Sequence, residues 1–372
     1  MRILFLSSRD WLDPEACGGD LCTTDYARLL ARQGHDVTLI AARYAGSERE
    51  EVIDAVRVVR PAGLFFLAIW AAVFYLRRKT QFDVVYEEGM ASVRVPFMAP
   101  LYVRVPLISM WYQLNAPIFS EQYSRPVAFA LTICERLLLL LHKSSRLVTL
   151  SEERRVELVA QGVPEERIGI LPPLMLDSRP RDTSEFEREQ QVVWLGKIRR
   201  YKCPHHAIEA LAKVVETVPN AKLVIAGRRD DEAYELELMR LAIRLGIGDR
   251  VEINLNISDE EKWTLLSRSR ALVVTTPVEG FGIVIVEANA CGTPVVATEG
   301  VPTITARGGY NGIRVPFGDT QAFADALTTL LTDDDVFQTY SMNARRHAKQ
   351  FSVDSVGRRL EETVAVATSR AA

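Results

Sequence analysis

Residues 277–298 read PVEGFGIVIVEANACGTPVVAT, and the fold class turns on how this stretch is read. An apolar run, Ala271–Thr275, enters it as a strand. Pro277–Gly282 then makes a turn, a helix spans about 283–291, and Pro294–Ala297 is the next strand. Strand, glycine turn, helix and strand in so short a span make a βαβ unit, and hence a parallel sheet covered by helices. Open sheets of this kind bind ligands at the carboxyl ends of their strands, which is where the turn falls. The first N–H groups of a helix lack intrahelical partners and its dipole is positive there, so the turn suits an anion such as a nucleotide diphosphate. Gly280 and Gly282 let backbone approach a ligand with no Cβ in the way. Glu279 on the turn and Glu287 a turn into the helix can each accept two hydroxyl hydrogens, which fits a sugar for the first and a ribose diol for the second.

The same alternation extends in both directions. Upstream of it lie a strand at Val192–Leu195, a helix over 204–218, a strand at Lys222–Ala226, a helix over 231–245, a strand at Val251–Asn254 and a helix over 258–268. The polar segment Asp177–Gln191 reads as a linker. Before it comes a second series: strand Ile3–Leu6, loop Ser7–Gly18, helix Gly19–Gly34 closed by a C′ glycine, then strands at Val37–Ile40, Val56–Val59, Val84–Tyr86, Leu107–Met110 and Leu147–Thr149. A chain of 372 residues accommodates two such α/β domains. With 45 basic and 48 acidic residues it has no cationic excess to hold a phosphate backbone, so a dedicated nucleic-acid binder is excluded. The five cysteines are scattered and odd in number, which argues against a disulfide framework and for a reducing, cytoplasmic setting. The opening MRILFLSSRDW is too briefly apolar for a signal peptide. Residues 62–76, AGLFFLAIWAAVFYL, followed by Arg77-Arg78-Lys79, are too short to span a bilayer and read either as a core helix or as one lying in a membrane interface. Leu137–Leu141 has the same two readings, with core the preferred one.

Glu279 to Glu287 resembles the E-x7-E element of the retaining GT-B glycosyltransferases of family 4, set within that family's "EGFG…EA.A.G.PV.A" surroundings. Gly196-Lys197-Ile198 with Lys202 resembles its "GRL…KG" basic pair, Gly18-Gly19 its first glycine loop, Gly34-His35-Asp36-Val37 its "GH.V" strand, and Phe351-Ser352 the approach to its last helix. The resemblance implies two Rossmann-like, doubly wound domains facing a cleft. Residues 1–172 would bind the acceptor, 173–352 the nucleotide sugar, and 353–372 would return as a helix onto the first domain. Glu279, Lys197 and Lys202 would be catalytic, the two lysines taking the charge of the departing diphosphate. Gly19, Gly196, Gly280, Phe281, Gly282, Ile283 and Glu287 would hold the donor, its base near Ala226-Gly227-Arg228 and Asn254–Ile257. The donor would be a UDP- or GDP-linked sugar. The acceptor would be a glycan or lipid-linked, in polysaccharide or glycolipid synthesis, with peripheral contact to the inner face of the membrane. No metal or other cofactor would be required, and the transfer would retain anomeric configuration. A nucleotide- or glycan-binding protein of this fold without transfer activity, and a nucleotide-sugar epimerase, are the alternative readings.

Three positions depart from that pattern. Tyr112-Gln113 stands where an "HQ" pair is usual, on the sugar or acceptor side, and a phenol cannot do imidazole chemistry at neutral pH. Cys203 stands where glycine usually follows the lysine, and Lys197 where arginine is commoner, a point charge in place of a bidentate fork. Other signals carry no function. Gly280-Phe281-Gly282 lacks the third glycine of a dinucleotide fingerprint, because position 285 is Ile. Asp333-Asp334-Asp335 suits a helix start better than a metal. His205-His206 opens a helix with no third ligand in evidence.

Overall fold

The structure is a computed structural model that describes residues 1–89, 96–174, 186–229 and 231–369. The chain divides into two compact units, Met1–Leu176 with Phe351–Ala372, and Asp177–Gln350. Of the linker expected over Asp177–Gln191, residues 177–185 lie outside the described residues, and Gln191 already belongs to a strand.

In the first unit, β1 (Arg2–Leu6), β2 (Asp36–Ile40), β3 (Glu50–Ile53), β4 (Val56–Val59), β5 (Val84–Glu88), β6 (Leu107–Met110), β7 (Arg146–Thr149) and β8 (Ile168–Ile170) form one sheet in the order β3-β4-β2-β1-β5-β6-β7-β8. All neighbours are parallel except β3, which pairs antiparallel with β4. The sequence reading had no β3. Its hairpin turn is Asp54-Ala55, with φ of 50° and 64°. Two left-handed residues are what a two-residue hairpin needs, but without the usual Asn-Gly the turn leaves little trace in the sequence. Helix α1 (Gly18–Arg32) ends in a Schellman motif: Gly34, at φ 91°, donates to Ala31 O, and His35 to Leu30 O. Helix α2 (Leu67–Arg78) buries Leu67, Ala71, Phe74 and Tyr75. Helices α3 (Ala116–Gln122), α4 (Arg125–Leu141) and α5 (Glu152–Ala160) follow.

In the second unit, β9 (Gln191–Leu195), β10 (Lys222–Gly227), β11 (Val251–Leu255), β12 (Ala271–Val274), β13 (Val295–Thr298) and β14 (Gly312–Val315) form an all-parallel sheet ordered β11-β10-β9-β12-β13-β14. Its central strands are unbroken apolar runs because both faces are covered. On one face α6 (Pro204–Thr217), α7 (Glu232–Arg244) and α10 (Thr320–Thr332) pack Ile208, Leu211, Leu238, Phe323 and Leu327 against Val192, Trp194 and Leu223. On the other, α8 (Asp259–Arg268) and α9 (Ile283–Ala290) pack Leu266, Ile285 and Ala288 against Val193, Leu272 and Val295. Helix α11 (Asp334–Ala348) starts at Asp333, whose carboxylate accepts from Val336 N at 3.0 Å, so this acidic run is a helix cap. Helix α12 (Val353–Ser369) belongs to the first unit, where Gly357 lies against α1, and a Cβ on it would sit 3.2 Å from the end of Leu29.

Candidate active site

The second sheet reverses its winding between β9 and β12, and the carboxyl ends at such a reversal are the ligand site of open α/β sheets. Gly196 and Lys197 follow β9 directly; the turn 277–282 follows β12. Gly196 N donates to Ala226 O at 3.0 Å, and Gly227 sits so close that a Cβ on it would lie 1.8 Å from Gly196 O. Ile198 then bridges to Arg229, leaving Lys197 between two fixed backbone points.

The turn after β12 is held equally firmly. Thr298 Oγ1 donates to Thr276 O at 2.5 Å, Thr276 Oγ1 to Val278 O at 2.8 Å, Glu279 N to Gly300 O at 3.2 Å, and Thr305 Oγ1 to the carbonyl of buried Phe281 at 2.9 Å. Gly280 lies within this loop. Gly282 caps α9 in the left-handed region, φ 86°, and supplies no side-chain hydrogen bond to the helix that Ile283 begins. The first N–H groups of α9 therefore face the end of the sheet without a side-chain cap.

Lys202 Nζ lies 2.5 Å from Glu279 Oε2. Its backbone is tied to the same strand end, because Trp194 Nε1 donates to Thr275 Oγ1, which donates to Lys202 O at 2.8 Å. Burial works against the Lys202 ammonium, yet the charge of Glu279, together with Tyr201 and the hydrogen bond, carries its pKa above the ordinary lysine value. Glu287, in contrast, does not share this pair. Its Oε1 accepts from Lys262 Nζ on α8 at 2.8 Å, and Lys262 also reaches Asp259 at 2.9 Å. Burial raises the Glu287 pKa and Lys262 only partly offsets it. Sequence reasoning missed Lys262. The signal was Ser258-x-x-Glu261, a capping box that fixes the start of α8 and sets Lys262 one turn in.

The first sheet has its own reversal, between β1 and β5. Ser8 N and Oγ donate to Glu88 Oε2 at 2.8 and 3.0 Å, Ser8 Oγ also reaches Asp20 Oδ1 at 2.6 Å, and Cys17 N donates to Asp20 Oδ2 at 2.8 Å. Burial and then the Asp20 charge push Glu88 up to about 8, so it carries a proton at neutral pH. The sequence reading ended this strand at Tyr86; two wholly buried glutamates in succession were the sign that it continued into a site. Tyr112 donates its hydroxyl to Gly19 O at 2.6 Å and lies 2.6 Å from Thr23 Oγ1. A Cβ at Gly19 would lie 3.1 Å from the Tyr112 ring, a tight contact. Gln113 Nε2 is 3.4 Å from Asn115 Oδ1.

Two expectations need correction. His205 and His206 do have a third ligand type beside them, Cys203, which the left-handed turn at φ 51° brings round. Leu137–Leu141 is not simply core: Leu139 is buried, but Leu137 and Leu140 are exposed, in line with Phe129 and Ile133 on α4. The turn before α2 likewise exposes Phe65 and Phe66, and α2 itself exposes Ile69, Trp70 and Leu76 around its core residues. Among the described residues no helix is long and apolar enough to cross a membrane.

Two doubly wound sheets, with cations and a glycine turn at a winding reversal of the second, are the architecture of the GT-B glycosyltransferases. The model for glycosyltransferase family 4 matches residues 18–174 and that for glycosyl transferases group 1 matches 177–347, so the chain belongs to the family 4, group 1 glycosyltransferases. Such an enzyme moves a sugar from a nucleotide-sugar donor. It is 26% identical over 353 residues to the D-inositol 3-phosphate glycosyltransferase of Corynebacterium efficiens, covering 90% of this chain and 81% of that one. It is 28% identical to the enzyme of that name from Xylanimonas cellulosilytica, covering 96% and 93%. Among solved structures, Anabaena Alr3699/HepE in complex with UDP superposes with a TM-score of 0.76 at 20% identity, over 98% of this chain and 100% of that one.

Proposed function

We propose that this enzyme is a retaining glycosyltransferase whose donor, a UDP- or GDP-linked sugar, binds the second unit, and whose acceptor, a glycan or lipid-linked saccharide, binds the first. The observation that carries the donor assignment is the Lys202–Glu279 pair at the β9/β12 reversal, with Lys197 and the open start of α9 beside it. On this reading the diphosphate takes Lys202 from Glu279, and Glu279 is released to the transferred sugar. Lys197 and Lys202 then stabilise the charge that develops on the leaving diphosphate, without a metal. Glu287, held by Lys262, receives the ribose diol. Gly19, with Tyr112 packed over it, and Gln113 are the first unit's own candidate ligand contacts. Solved relatives carrying UDP, UDP-glucose, or UDP with glucose support a uridine donor. Thermal-shift titration with UDP, GDP and ADP, each with and without its sugar, tests the assignment: a rise in Tm for UDP that Lys202→Ala abolishes is expected, and equal stabilisation of the variant overturns it. The anomeric configuration of the product, read by NMR, tests retention.

The acceptor reading places the enzyme in cell-surface polysaccharide or glycolipid synthesis, working at the inner face of the membrane. The exposed apolar faces of α2 and α4 support it, each edged by bases: Arg77 and Lys79 on one, Arg125, Arg136 and Lys143 on the other. Each base near an anionic surface adds about 1 kcal/mol. Salt-sensitive flotation with anionic liposomes is expected, weakened when Arg77, Arg78 and Lys79 are changed to Gln. A chain that stays unbound at low salt overturns the membrane part alone.

A further inference from the structure

Cys203, His205 and His206 each offer one ligand atom, and the three atoms lie within 4.8 Å of one another. The transfer reaction as read above uses none of them. Their grouping is a product of the fold. Cys203 caps α6 in left-handed backbone, φ 51° and ψ 44°, which reverses the chain between the turn Arg200–Lys202 and the helix. That conformation is strained for an L-residue, yet the position holds a thiol.

The two rings are set up differently. His205 Nδ1 lies 2.6 Å from Tyr234 Oη, a contact that fixes the ring and, with the proton on Nδ1, leaves Nε2 as a lone-pair donor. His206 packs edge-on against both His205 and Phe317, and its Nδ1 is buried with no hydrogen-bond partner among the described residues. A buried ring nitrogen without a partner is a cost that a ligand would remove.

We propose that Cys203, His205 and His206 form a binding site for a divalent transition ion of the zinc class, distinct from the sugar-transfer chemistry. One thiolate and two imidazoles suit a borderline-soft ion in tetrahedral geometry, with the fourth position left to water. Tetrahedral bonds of about 2.0–2.3 Å place ligand atoms roughly 3.5 Å apart, so small ring rotations complete the site. Binding forms one metal–sulfur and two metal–nitrogen bonds, and the Cys203 thiol proton passes to solvent. The ion would anchor the start of α6, one residue beyond Lys202.

Cobalt(II) titration of the full chain, followed by zinc displacement, tests this. One ion per chain is expected, with a thiolate-to-cobalt charge-transfer band in the near ultraviolet that zinc abolishes. Cys203→Gly should lose the band while keeping the wild-type fold by circular dichroism, since glycine suits φ 51°. His206→Ala should weaken cobalt affinity at least about 10-fold, as losing even an outer partner of a ligand costs 10–100-fold. Changing exposed Cys17 or Cys134 to Ser should leave the band unchanged. No charge-transfer band, a band that survives Cys203→Gly, or an unaltered cobalt affinity in His206→Ala overturns the site, the last of these serving even if Cys203→Gly fails to fold.

Discussion

The β9/β12 and β1/β5 reversals sit at equivalent places in their own sheets but hold opposite chemistry. At β9/β12 a lysine pairs with a carboxylate at 2.5 Å, and burial fails to strip its proton because the partner charge prevails. At β1/β5 two carboxyl groups share one serine hydroxyl, and burial succeeds in keeping Glu88 protonated. The first arrangement can exchange its anion for another, so it suits a ligand that brings its own negative charge. The second would repel a diphosphate if it ionised; as a neutral acid with hydroxyl partners it suits saccharide hydroxyls. The same α/β frame thus carries an ion pair at one reversal and a protonated carboxyl at the other, according to which side chains end its strands.

The largest effect should come from breaking the cationic side. On the proposed reading Lys202→Ala removes a cation from the leaving diphosphate, and it leaves Glu279 without its ion-pair partner. Turnover in kcat/KM should fall about 100-fold or more, in a steady-state assay of nucleotide release. Lys197→Ala should act in the same direction, and the double variant should fall short of the product of the singles because both cations serve one ligand. Additive losses would place Lys197 outside the shared ligand.

The carboxyl side should show itself in pH dependence. The Glu88 pKa is raised on folding, from its ordinary carboxyl value of 4.5 to about 8. Its stabilising contribution is therefore complete below about 4.5 and is lost as pH rises through 8, because the unfolded chain ionises first and the folded one must hold its proton. Stability should fall as pH rises across that window, by at most about 1.4 kcal/mol per pH unit. Denaturant unfolding at pH 5, 6.5 and 8 checks this, with Glu88→Gln flattening the slope. An unchanged slope in that variant would assign the pH dependence to another group.

How much of this was legible beforehand follows from the physics of each residue. The two sheets were readable because buried parallel strands are unbroken apolar runs, and the glycine turns because left-handed backbone selects glycine. The Pro277–Gly282 turn could thus be placed to the residue. The pairing of Lys202 with Glu279 was not readable, since the contact spans 77 positions and depends on β9 lying beside β12. Lys262 escaped because its contact with Glu287, 25 positions on, depends on how α8 packs beside α9, although the capping box at Ser258 marked where α8 begins. The Tyr112–Gly19 bond was equally hidden, because it joins β6's end to the first turn of α1 across 93 positions.

A smaller effect separates the two glutamates. Lys262→Ala leaves Glu287 buried beside α8 without its ammonium, which should cost about 1–3 kcal/mol in stability and raise donor KM more than it lowers kcat. Glu279→Gln should do the reverse, cutting kcat, if Glu279 holds the transferred sugar as proposed. Equal losses in both parameters for both variants would erase the division between sugar-side and ribose-side carboxylates.

The smallest effect is expected at Cys203, and it bears on how rigidly the cationic side is built. Replacing the cysteine by glycine relieves left-handed strain of roughly 1–2 kcal/mol, but it also frees the unfolded chain by about 0.4–1 kcal/mol and gives up the burial of one sulfur. These terms nearly cancel, so Tm measured in the presence of a chelator should move by only a few degrees. Gly227→Ala provides the contrast. Its Cβ would lie 1.8 Å from a backbone oxygen, and neither Gly196 nor Gly227 can yield without opening β9 from β10, so a loss of several kcal/mol is expected. If Cys203→Gly proves as damaging as Gly227→Ala, the thiol does more than occupy a strained cap, and the turn that carries Lys202 depends on its sulfur even without metal.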